Sequence, residues 1–121
     1  MRKLTLFLVL LPGIVAAQGM RDGDRVPNAD ELAATLGVTT LTFYDGSTAS
    51  FRPDGRYAYR YTPEDSDWVG RYDTGAEGQV CVTFDNGSGR CDTYVEAGGR
   101  LVLFTAGGLR FPVRSVEPKA Q

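Results

Sequence analysis

The sequence predicts an all-β domain: an antiparallel up-and-down meander of about eight short strands forming a small barrel or sandwich, with one short N-terminal helix. Three observations lead there. Short runs of β-branched, aromatic and aliphatic residues recur from Thr39 to Val113. Gly, Asp-Gly and Asn-Gly turns punctuate them, which is the chemistry of tight β connections. The gaps are too short for crossover helices, so neighbouring strands must pair antiparallel. Closure into a barrel is the favoured form because it leaves no exposed edge strand.

The helix is expected over residues 28–36. Asn28 is placed to cap its N-terminus, and Glu31, three residues on, can reach back as in a capping box. Leu32, Ala33 and Leu36 share a face, and Gly37 supplies the stop. Two turns are unstable alone in water, so this helix must dock, and one end of the barrel is the natural place. Strands are then expected at 39–44, 47–51, 56–61, 67–74, 80–84, 90–95, 100–105 and 109–113. The run at 56–61 alternates strictly, with Tyr57, Tyr59 and Tyr61 on one face and Arg56, Ala58 and Arg60 on the other. Trp68, Gly70 and Tyr72 repeat the spacing of two in the next strand. A Gly-rich turn is expected at 75–78 and a frayed tail at 117–121.

The start of the chain reads as a secretory leader. Arg2 and Lys3 precede an apolar run at 4–11, and Val15 and Ala17 fit a cleavage site before Gln18. That run is far shorter than the roughly 20 residues a membrane helix needs. No cysteine stands near the cleavage point, so no lipid anchor is expected there. Removing residues 1–17 lowers the basic count from 13 to 11 against 15 acidic residues, a net charge of −4. Such a domain has no general attraction for nucleic acid. The expected division is a signal peptide at 1–17, a flexible arm at 18–27, the β domain at 28–116 and a tail at 117–121. The expected location is periplasmic or secreted, with no stable membrane span once the leader is gone.

In an exported chain, Cys81 and Cys91 are expected to form a disulfide. A three-residue loop Asp85-Asn86-Gly87, with Gly87 left-handed, sets Phe84 against Ser88 and Cys81 against Cys91. That register also puts Val80 and Val82 on one face with Asp92 and Arg90. A two-residue Asn86-Gly87 loop would restore the apolar match but separate the cysteines. The cysteines decide the matter, and a bulge near Ser88-Gly89 is expected to absorb the mismatch.

Catalytic apparatus is hard to find in the sequence. The chain contains no histidine, which removes the usual general base and the commonest zinc ligand. Ser47, Ser50, Ser66, Ser88 and Ser115 lie outside any Gly-x-Ser-x-Gly context. Glu64, Asp65 and Asp67 could offer oxygen to a hard cation, but a solvated loop explains them equally well. No catalytic residue, metal or cofactor is therefore assigned. The distinctive feature is aromatic: Tyr57, Tyr59, Tyr61, Trp68 and Tyr72 are the candidate ligand-binding residues. Packing across strands would use the same residues. The expectation is an exported non-enzymatic binding module for an unknown small molecule. The alternative is a protein–protein module, either a protease inhibitor or an accessory subunit of an envelope complex, using the arm or the acidic loop.

The pattern Phe51-x-x-Asp54-Gly55-x-Tyr57, Trp68-x-Gly70-x-Tyr72, Cys81 and Cys91 resembles small exported β-proteins of proteobacteria, some with lipocalin-like or small-barrel folds. The leader, the eight expected strands, one disulfide and an N-terminal arm also resemble small periplasmic inhibitors of secreted metalloproteases. The first resemblance implies a barrel with an internal site. The second implies that residues 18–27 reach into a partner.

Overall fold

A computed structural model describes residues 20–118, and the expected leader lies outside them. The helix α1 spans Ala29–Leu36. The strands are β1 (Thr39–Phe43), β2 (Thr48–Phe51), β3 (Arg56–Arg60), β4 (Trp68–Thr74), β5 (Gln79–Phe84), β6 (Gly89–Ala97), β7 (Arg100–Phe104) and β8 (Arg110–Pro118). Each pairs antiparallel with the next, and β1 pairs with β8, so the sheet closes as an up-and-down barrel. Closure explains why β8 runs beyond its expected end. Glu117 and Pro118, expected to fray, lie opposite Thr40 and Thr39, where β1 needs a second partner.

Asn28 caps α1 as expected: its side chain accepts from the Glu31 amide at 2.9 Å, and Glu31 accepts in return from the Asn28 amide at 3.4 Å. Gly37 ends the helix with right-handed φ −55° rather than a left-handed turn. A Cβ there would lie 2.9 Å from the Ala33 carbonyl oxygen, so glycine is set by close approach. Leu32 and Leu36 are buried in the barrel core with Leu41, Phe51, Val80 and Tyr94. The helix thus stops one end of the barrel, beside the turns at 52–55, 75–78 and 98–99. Residues 76–78 of that set form a short 3-10 turn, where a plain Gly-rich turn was expected. The turns at 44–47, 61–67, 85–88 and 105–109 gather at the other end.

The disulfide is present, and its register is the cysteine-directed one: Cys81 lies opposite Cys91, with Cα atoms 4.0 Å apart. Phe84 donates to the Ser88 carbonyl at 2.8 Å, and Gly87 turns the chain at φ 91°. The expected bulge near Ser88-Gly89 is absent, because the β5–β6 register continues unbroken from Gln79/Thr93 to Thr83/Gly89. A register shift lies instead in the β1–β8 pairing, between Thr42 and Phe43. With no bulge to rotate them away, Arg90 and Asp92 stay on the face of Val82 and Val80, which is the interior.

A flexible arm was expected at 18–27, yet its described residues, 20–27, are tied to the barrel wall. Arg25 and Glu96 exchange backbone hydrogen bonds of 2.8 Å, and the Arg25 guanidinium bridges Glu31 and Glu96. Asp24 takes two hydrogen bonds from Arg110, at 2.7 and 3.3 Å. Val95, Val102 and Phe104 alternate with the interior residues Tyr94, Leu101 and Leu103, so they point outward. Their apolar patch is covered with the help of Met20. Burial of that patch and the ion pairs together hold the segment down.

Candidate functional site

The end of the barrel opposite α1 holds a cavity of 270 Å³. The β3 alternation positions Tyr57 and Tyr59 along one wall, since residues at spacing two share a face of a strand, and Tyr61, just past the end of β3, also lines the cavity. On the facing wall β6 contributes Arg90, Asp92 and Tyr94 by the same rule. The β1–β2 turn brings Asp45 and Ser47, and the β7–β8 turn brings Thr105 and Leu109. Phe43, Ala49, Leu103 and Phe111 complete the lining. The volume lies just under the ~300–1,000 Å³ of drug-sized ligand pockets.

The polar groups are arranged with care for their charge. Arg90 donates to Asp92 through Nε at 2.8 Å and Nη2 at 2.9 Å, a two-pronged pair between next-but-one residues of one strand. That carboxylate holds the Arg90 guanidinium above its ordinary pKa. Asp45 Oδ1 accepts from the Ser47 hydroxyl at 2.6 Å and the Ser47 amide at 2.9 Å. The Ser47 bonds hold the Asp45 carboxyl below the usual carboxylate range. Burial pushes the phenols of Tyr57, Tyr59 and Tyr94 up, so all three remain neutral hydroxyls at physiological pH. Tyr57 and Tyr94 keep only 8% and 3% of their surface accessible. Both line the cavity.

The five aromatics singled out in the sequence divide. Tyr57, Tyr59 and Tyr61 come together at the cavity. Trp68 pairs with Tyr59 across β3–β4 but stands beyond the lining, 46% exposed, with its ring edge-on to Phe84 at 6.1 Å. Tyr72 packs at the plugged end, its ring 4.9 Å from Phe51 and its hydroxyl donating to the Arg52 carbonyl at 3.0 Å. Between them Gly70 has no room for a side chain, since a Cβ would come within 2.3 Å of the Thr83 carbonyl oxygen. Arg56 and Arg60 lie on the outer surface, paired with Asp85 and Asp67.

Arg90 and Asp92 are the lining residues that a hydrophobic reading of the sequence passes over. Their signal was the mismatch itself, two charged residues opposite Val82 and Val80 in the register the cysteines require. Among the described residues, no group of three or more acidic, histidine or cysteine side chains could hold a metal ion. Among them, too, no helix is long and apolar enough to cross a membrane.

The class defined by these features is a closed eight-stranded up-and-down barrel, plugged by a helix at one end and hollow at the other. Compared with known proteins, the chain matches no family model, no curated sequence and no solved structure.

Proposed function

We propose that this protein is an exported, non-enzymatic binding module whose barrel cavity takes a small molecule. The observation that carries this reading is the cavity itself: 270 Å³ of space lined by tyrosines and by the Arg90–Asp92 pair on the inward face of β6. Apolar walls with a few convergent polar groups are the usual make-up of a ligand pocket. The sequence adds support, since the chain has no histidine and the leader pattern directs it out of the cytoplasm. The alternative module, with residues 18–27 reaching into a partner, has less support because Asp24 and Arg25 are already engaged by Arg110, Glu31 and Glu96.

Native mass spectrometry of the mature protein, purified from the periplasm, tests the proposal. The expected result is a small adduct that leaves on denaturation. The adduct should be lost in Ala49→Leu, which adds side-chain volume to the lining, while circular dichroism stays native. An adduct that Ala49→Leu leaves in place, or a stoichiometric protein partner in its stead, would contradict a cavity ligand.

A further inference from the structure

The charges that line the cavity constrain what can enter it. Among the lining residues only Asp45, Arg90 and Asp92 carry charge. Arg90 would be the natural clasp for a carboxylate or phosphate, because its planar fork offers two parallel donors. That fork is already closed by Asp92, through Nε and Nη2. An anionic ligand is left only the Nη1–Nη2 edge of the guanidinium, with the Asp92 carboxylate held beside it at 2.8 and 2.9 Å as a repelling neighbour. Asp45 stands at the rim with no lining cation to answer it, and its Oδ1 is stabilised as the anion by Ser47. One arginine against two aspartates leaves the lining with a net charge of −1.

The rest of the wall has the same preference. Six of the lining residues are aromatic: Phe43, Tyr57, Tyr59, Tyr61, Tyr94 and Phe111. Aromatic faces are negative and attract cations, most strongly when water is excluded. Tyr59 and Tyr61 make two adjoining walls, their ring planes 83° apart and their centroids 4.8 Å apart. A bulky, weakly hydrated cation suits such walls, whereas a primary ammonium or a metal ion asks for a full shell of oxygen ligands.

From these observations, and resting on the small-ligand reading above, we infer that the cavity selects a small alkylated ammonium ion. The cationic head would lie among Tyr57, Tyr59 and Tyr61 with Asp45 at the rim, and Arg90–Asp92 would form a neutralised polar wall. Neither proton transfer nor covalent chemistry is involved.

The test is an NMR titration of the mature protein, following tyrosine ring resonances. The probes are tetramethylammonium, choline, the neutral choline isostere 3,3-dimethyl-1-butanol, acetate and phenol. The inference expects saturable shifts at Tyr57, Tyr59 and Tyr61 with both cations, and binding of the isostere weaker by ~tenfold or more. Asp45→Asn should weaken choline several-fold without changing the fold as seen in the amide spectrum. Equal binding of choline and its isostere, or a preference for acetate, would overturn the cation assignment and leave the cavity reading standing. Phenol shifting the cavity tyrosines while neither cation does so would have the same meaning. No shift with any probe would overturn the cation assignment, and the adduct test by native mass spectrometry would decide the cavity reading separately.

Discussion

The two ends of this barrel are built on opposite rules. At the plugged end Leu32 and Leu36 of α1 share one core cluster with Leu41 and Phe51, Tyr72 packs against it, and the hydroxyls of Tyr72 and Thr39 both have backbone partners. At the open end the same strands carry an arginine, two aspartates and a cluster of tyrosine hydroxyls around space. Side-chain burial at the first end stabilises the fold at about 25 cal/mol per Å² of apolar surface. At the second end that stabilisation is forgone, because a charged pair replaces apolar packing and a cavity has no contacts across it. On the proposed reading, one scaffold then keeps the part that folds apart from the part that would bind. The division can be attacked from either side.

The largest effect is expected at the plug. Leu36→Ala removes a fully buried side chain that joins helix to barrel, and should cost about 2–5 kcal/mol in urea unfolding. A loss below 1 kcal/mol would mean that α1 does not hold this end closed. Next comes the disulfide, on the outer face of the wall whose inner face carries Arg90 and Asp92. Replacing both Cys81 and Cys91 by serine releases a short loop and should cost about 2–3 kcal/mol. Because the bridge points away from the cavity, ligand affinity should survive. If binding fell while the barrel stayed folded, the wall's stiffness would belong to the site.

The docked lead-in offers a pH-dependent test of about the same size. Asp24→Asn weakens a charge-assisted pair with Arg110 and should cost about 2 kcal/mol at neutral pH. Arg110 holds the folded Asp24 carboxyl below its ordinary pKa. Its contribution is therefore fully present above the unfolded value near ~3.9 and is lost as pH falls through the lower folded value. The gap between wild type and Asp24→Asn should accordingly close in acid. A gap that stayed constant from pH 7 to pH 2 would contradict the pairing. The smallest effect belongs to the outer surface at the open end, where Arg60→Ala removes an exposed pair with Asp67 and should cost no more than about 1 kcal/mol.

The strands, turns and helix were readable in the sequence and the charged part of the cavity was not, for one physical reason. Secondary structure and closure follow from periodicity, turn chemistry and capping, which are local. Asn28 with Glu31 announced the helix, the alternation of Tyr57, Tyr59 and Tyr61 announced a stripe on one strand face, and Asp85-Asn86-Gly87 with two cysteines fixed a register. The rule that interiors are apolar then pointed the wrong way at Arg90 and Asp92, and a bulge was invoked to move them out. Such a conflict between a covalent constraint and a hydrophobic pattern marks a place where local rules fail, and functional sites are where they are expected to fail. Trp68 and Tyr72 show a second limit. Spacing of two gives a common face but not a common depth, and strand position sends one to the exposed rim and the other to the plug. The lead-in could not be foreseen to dock, because Asp24–Arg110 and Arg25–Glu96 join residues distant in sequence. Deleting residues 18–27 would thus remove structure along with any arm, so substitutions at the cavity separate the functional readings more cleanly.

The most direct test of this division is the unfolding free energy of the double variant Arg90→Leu with Asp92→Leu. If the pair belongs to a binding site and not to the fold, exchanging it for apolar side chains should leave stability within about 1 kcal/mol of wild type, or raise it. A loss of about 3 kcal/mol or more would show that the pair holds the barrel together, and the distinction between a folding end and a binding end would fall.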